Sequence, residues 1–118
     1  MKNIILFLSL LLCISVSAQK KETYIKNNTT YYKDSTYKST GYPVVKRNPK
    51  AKQAFLKSKG FAKCPKGYQV DHITPLHLGG LDVPENMQLL TIEEHKKKTA
   101  KEQREIRRQI RNNKNKQH

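Results

Sequence analysis

The chain has 118 residues, with 24 Lys and Arg against 9 Asp and Glu, a formal net charge of +15 at neutral pH and no tryptophan. This length excludes more than one domain of ordinary size, and two cysteines exclude both a disulfide framework and a cysteine-quartet zinc site. So basic a chain implies a polyanionic partner, whether nucleic acid, an anionic membrane or acidic glycans.

Met1-Lys2-Asn3 gives a charged start, Ile4 to Val16 is almost wholly apolar, and Val16-Ser17-Ala18 supplies small residues before Gln19. This pattern predicts a secretory signal peptide over residues 1–18, too short in its apolar run for a comfortable membrane span. The protein is therefore expected to be exported, to the periplasm or outside the cell, with no stable membrane association after cleavage. Cleavage removes Cys13, so Cys64 remains as a buried core thiol or an intermolecular link.

Residues 19–48 hold Tyr24, Tyr31, Tyr32, Tyr37 and Tyr42 among Lys, Asn, Ser and Thr, with few aliphatics. Low apolar content with positive charge predicts a flexible basic arm whose tyrosines could also stack on bases. The folded part is then residues 49–118. A short helix is predicted over 49–59, capped by Asn48, opened by Pro49 and ended by Gly60, with Phe55 and Phe61 as its core anchors. Cys64 to Gly67 reads as a turn, Tyr68 to Thr74 as a strand, the region from Gly79-Gly80 to Pro84-Glu85 as a loop, and Met87 to Leu90 as a second strand. Thr91 and Glu94 form a capping box that starts a helix at Ile92, running to about Asn112. Its apolar residues Ile92, Ala100, Ile106 and Ile110 make an imperfect stripe, so its far end is expected to project. From Lys96 onward there are ten basic and two acidic residues. That imbalance assigns Lys96, Lys97, Lys98, Lys101, Arg104, Arg107, Arg108 and Arg111 to phosphate contact.

An Asp-His pair inside a strand is unusual, because strands disfavour Asp and adjacent side chains point to opposite faces. If the two strands pair and the second helix packs across them, Asp71 and His95 converge as a hard oxygen and a borderline nitrogen, a usable site for a divalent ion. His72, on the other face, is suited to take a proton from water, since its ordinary pKa lies near neutrality. Asn86, at the end of the loop, can fix the loop or complete a metal shell. His77 reads as an ordinary loop residue.

The stretch "VDHITPLHLGG" followed by "PENMQLLTIEEHKKKT" resembles the HNH nuclease motif: an Asp-His pair in a strand, an Asn after a Gly-containing loop, and a His opening a helix with Lys-Thr after it. The likeness covers residues 67–101. It implies an α+β chain built on a ββα-metal (HNH) finger, here with a short preceding helix and a long basic C-terminal helix. It also implies metal-dependent hydrolysis of DNA, with RNA as the alternative substrate, leaving 5′-phosphate ends. Carried over by position, Asp71 and His95 ligate one divalent ion, Mg²⁺ first and Mn²⁺, Zn²⁺ or Ni²⁺ as alternatives, His72 is the general base, and Asn86 orients the base or joins the shell. Two departures stand out: the two CxxC pairs of many members are absent, and Thr99 occupies the position where some members place a further His.

The resulting expectation is an exported endonuclease of low sequence specificity, because the charge is spread along an arm and a helix and suits backbone contact rather than base readout. The rival reading is an exported nucleic-acid-binding protein with a degenerate HNH scaffold. Intact Asp71, His72, Asn86 and His95 favour the enzyme, since a pure binder has no physical need of the set. A membrane-active cationic protein is disfavoured by the few bulky apolar residues of the C-terminal helix.

Overall fold

The computed structural model describes residues 18–116, so the export segment lies outside the described residues except for Ala18. Residues 19–48 are not the flexible arm that their composition predicts. They form a three-stranded antiparallel sheet in the order β1 (Thr23–Lys26), β2 (Thr29–Thr36), β3 (Pro43–Val45). The physical reason is local. Asn27 and Asn28 both take positive φ (50° and 57°), making a two-residue hairpin turn whose twist matches the strands, and asparagine tolerates that conformation. Tyr24 lies opposite Tyr31 with ring centroids 5.3 Å apart, a cross-strand pair that substitutes for aliphatic content. Thr29 and Val45 are buried and fasten the sheet to the rest of the molecule.

Helix α1 (Pro49–Ser58) follows the predicted chemistry: the Asn48 side chain accepts the Lys50 N–H, and Pro49 fills the first turn. Its end is a Schellman turn, with Gly60 at φ 81°, the Gly60 N–H on Lys57 O and the Phe61 N–H on Leu56 O. That turn carries Phe61 outward, so it is 40% exposed while Phe55 is 3% exposed. Phe61 is therefore not a core anchor, and Leu56 takes that place beside Ala51, Phe55 and Met87, with Cys64, Val70 and Leu89 packed against them.

Strands β4 (Tyr68–His72) and β5 (Met87–Thr91) pair antiparallel, with Val70 opposite Leu89, Asp71 opposite Gln88 and His72 opposite Met87. β4 ends two residues earlier than expected, since beyond His72 the backbone turns to Asn86. The loop between the strands holds two short 3₁₀ turns, Leu76–Leu78 and Pro84–Asn86. Gly80 is obligatory within it: a Cβ there would lie 1.9 Å from the Thr74 carbonyl oxygen. Helix α2 (Ile92–Asn115) begins with the predicted capping box, both halves of which are made by Thr91 and Glu94. None of its residues is buried, and from Gln103 to Lys116 every residue but Ile106 is exposed. Among the described residues no helix is long and apolar enough to cross a membrane.

Phe55 and Phe61 separate core from surface in a way that urea denaturation can read. Phe55→Ala is expected to lose about 3 to 5 kcal/mol, and Phe61→Ala about 1 kcal/mol or less.

Candidate active site

The pleat of β4 sorts the site residues. Val70 and His72 lie on the face that packs on α1, with Leu89 and Met87 opposite them, while Asp71 and its partner Gln88 face α2. The adjacent pair thus serves two different networks.

On the α2 face, Asp71 Oδ2 receives the Lys98 ammonium at 3.0 Å and the Gln88 amide at 3.1 Å. The other oxygen, Oδ1, faces His95 Nε2 at 3.6 Å, too far for a hydrogen bond. Two donors at about 2.1 Å from one ion stand roughly 2.9 to 3.4 Å apart, so this gap is close to the span of a shared cation. Among the described residues no group of three or more His, Cys, Asp or Glu side chains converges on a point. The donor set therefore fits a hard ion that keeps most of its waters, such as Mg²⁺ or Mn²⁺, and does not fit a closed tetrahedral zinc site.

Lys98 was expected on the nucleic-acid surface. Instead it turns inward, paired with Asp71 and Glu102 and donating to the His72 carbonyl at 3.0 Å, and its side chain is only 21% exposed. Burial alone would favour the neutral amine, but hydrogen bonds to Glu102 and Asp71, and attraction to both carboxylates, outweigh it and hold its pKa above the ordinary 10.5.

On the α1 face, His72 Nε2 meets Asp82 Oδ1 at 2.9 Å. Asp82 is 4% exposed, accepts the Asn48 N–H on Oδ2 at 2.6 Å, and donates its own N–H to the Thr29 hydroxyl at 3.0 Å. An ionised Asp82 assigns the proton to Nε2 and leaves Nδ1 as the basic nitrogen of His72. The sequence does not single out Asp82. Its only signal is an acid between apolar Leu81 and Val83 in a chain poor in acids, and its distance from His72 along the chain hides the contact.

Asn86 acts on the loop. Its amide donates to the Thr74 and Leu81 carbonyls at 3.0 and 2.8 Å and accepts the Thr74 N–H at 2.9 Å, while its backbone carbonyl takes the Ile73 N–H. It braces both ends of the loop that delivers Asp82 to His72. His77 is also structural: its ring meets Tyr37 edge to face, and its carbonyl accepts the Thr40 hydroxyl.

Two clefts, of about 510 and 240 Å³, flank the site, and four residues line both: Asp71, His72, His95 and Arg47. The remaining predicted phosphate contacts, Lys96, Lys97, Lys101, Arg104, Arg107, Arg108 and Arg111, are all exposed on α2. Lys97 pairs with Glu93 at 2.8 Å, a surface contact of little energetic weight. At about 100° per residue, Lys97, Lys101, Arg104, Arg108 and Arg111 form one row, roughly half a turn from His95 and Glu102. That row faces away from the clefts.

Comparison with protein-family models, curated proteins and solved structures finds no match for this chain.

Two measurements check this geometry. Asp82→Ala leaves the Asn48 N–H and His72 without their acceptor and is expected to lower stability by at least about 2 kcal/mol in chemical denaturation. The raised pKa of Lys98 means that its contribution is complete below pH 10.5 and is lost as pH rises through the folded-state value. In EDTA, the stability gap between wild type and Lys98→Met should therefore close at strongly alkaline pH.

Proposed function

We propose that this protein is an exported, metal-dependent endonuclease of the HNH type, cutting DNA, with RNA as the alternative substrate, at little sequence specificity. The observation that supports this reading most is the His72–Asp82 dyad, whose histidine shares both clefts with the Asp71–His95 pair. A buried carboxylate behind an imidazole fixes its tautomer and stabilises the imidazolium that forms when it takes a proton. A carboxylate with one oxygen already bound to Lys98 and Gln88 presents the other in a set direction.

In this reading His72 Nδ1 removes a proton from a water molecule, whose oxygen attacks the phosphorus. The bond from phosphorus to the 3′ oxygen breaks, and that oxygen takes up a proton from solvent, leaving a 5′-phosphate and a 3′-hydroxyl. Asp71 and His95 would hold the divalent ion, which supplies stabilisation of the charge that develops on the phosphate and the leaving oxygen. Asn86 keeps the loop in the conformation that sets Asp82 behind His72. The exposed row on α2 supplies sequence-independent attraction to the nucleic-acid backbone.

Plasmid nicking by the purified protein, with Mg²⁺ or Mn²⁺, with EDTA, and with His72→Ala in parallel, tests the proposal. Metal-dependent nicking is expected, reduced at least about 100-fold in His72→Ala while that variant still binds DNA. Tight binding without cleavage under any of these metals would reject the enzyme and leave a binding protein. Affinity should also fall steeply between low and moderate salt, and a flat salt profile would reject backbone contact as its source.

A further inference from the structure

Resting on the nuclease reading, we infer that Arg47 is the residue that grips the phosphate undergoing cleavage. Of the four residues that line both clefts, it is the only Lys or Arg; the others are Asp71, His72 and His95. Arg47 forms no ion pair with any carboxylate among the described residues, unlike Lys98, whose charge is already matched by Asp71 and Glu102.

Its backbone is held on both sides. The Lys46 N–H donates to Thr30 O at 2.8 Å, and the Asn48 N–H donates to Asp82 Oδ2 at 2.6 Å. The same carboxylate that holds His72 therefore also fixes the chain next to Arg47, setting the base and the guanidinium in one frame. Electrostatics favours the residue. The Asp71 carboxylate is already paired with Lys98, and the basic row of α2 is turned to the opposite side of the helix. Beside the ion that Asp71 and His95 would hold, Arg47, with Lys52 in the larger cleft, is the cation the protein itself offers on the reacting side. A guanidinium binds two phosphate oxygens at once in a planar fork, and such a contact strengthens as negative charge grows on those oxygens.

The test combines cleavage and binding by the purified protein and its Arg47→Ala and Arg47→Lys variants, using a labelled short duplex and thermal melts to confirm folding. Arg47→Ala is expected to lower kcat about 100-fold or more, with a smaller change in KM, and Arg47→Lys to recover only a minor part because an ammonium cannot form the fork. Binding is measured in the His72→Ala background, where Arg47→Ala should reduce the salt slope of log Kd by about one phosphate contact. Cleavage by Arg47→Ala at the wild-type kcat would overturn the assignment. Should the wild type itself fail to cut, the nuclease reading falls separately, and an unchanged salt slope would then overturn the phosphate contact as well.

Discussion

The Asp82 carboxylate is the interaction on which the rest of the structure depends. It is almost fully withdrawn from water, and through its two oxygens and its own N–H it joins the imidazole of His72, the start of α1 at Asn48, and the hydroxyl of Thr29 on β2. A buried carboxylate is tolerable only when its oxygens are met by donors, and here those donors come from elements far apart in the chain. The sheet, the helix and the hairpin are thereby locked into one arrangement. Loss of this group would disturb the core connection and the candidate base together, so stability and chemistry are coupled at a single side chain.

The pleat of β4 performs the second division. Neighbouring residues of a strand point apart, so Asp71 is drawn into a polar network with Gln88, Lys98 and the region of His95, while His72 is drawn against Met87 and Asp82. Two networks of different chemistry come to line the same clefts from opposite sides of one strand end. In the proposed reaction, this would keep the proton acceptor apart from the proposed metal-holding pair while both line the same clefts.

Helix α2 is divided along its length and around its circumference. Its first turns, from the Thr91 cap to Glu102, lie on the hairpin through Lys98, and beyond them almost every side chain is in solvent. Around the axis, His95, Lys98 and Glu102 face the body while the row from Lys97 to Arg111 faces outward. Charge of one sign along an exposed row opposes helix formation at low salt, and a polyanion laid along it would relieve that repulsion. In the proposed function, general attraction to a backbone and local handling of one phosphate would fall to different surfaces.

What could be read in the amino-acid order is what depends on neighbours a few residues apart. The Asn48-Pro49 start of α1, the Thr91–Glu94 capping box, the Gly60 stop and the paired strands on either side of the loop all follow from local hydrogen bonding and backbone preference, as does the separation of Asp71 from His72. Composition misled over residues 19–48, because an average of polar residues conceals the Asn27-Asn28 turn and the tyrosine pair across it. Phe61 was misplaced because its burial depends on the direction in which a helix end releases the chain. Lys98, Asp82 and Arg47 were legible only in the folded molecule. The partner of Lys98 is a carboxylate on a strand, that of Asp82 a hydroxyl more than fifty residues earlier, and the exposure of Arg47 to the clefts depends on where α1 meets the hairpin. Sequence by itself determined the two helices, the strand pair around the loop and the positions of Asp71, His72, Asn86 and His95. Tertiary structure decided which charges are matched and which are left facing the clefts, because compensation between buried charges depends on distances that no local pattern contains.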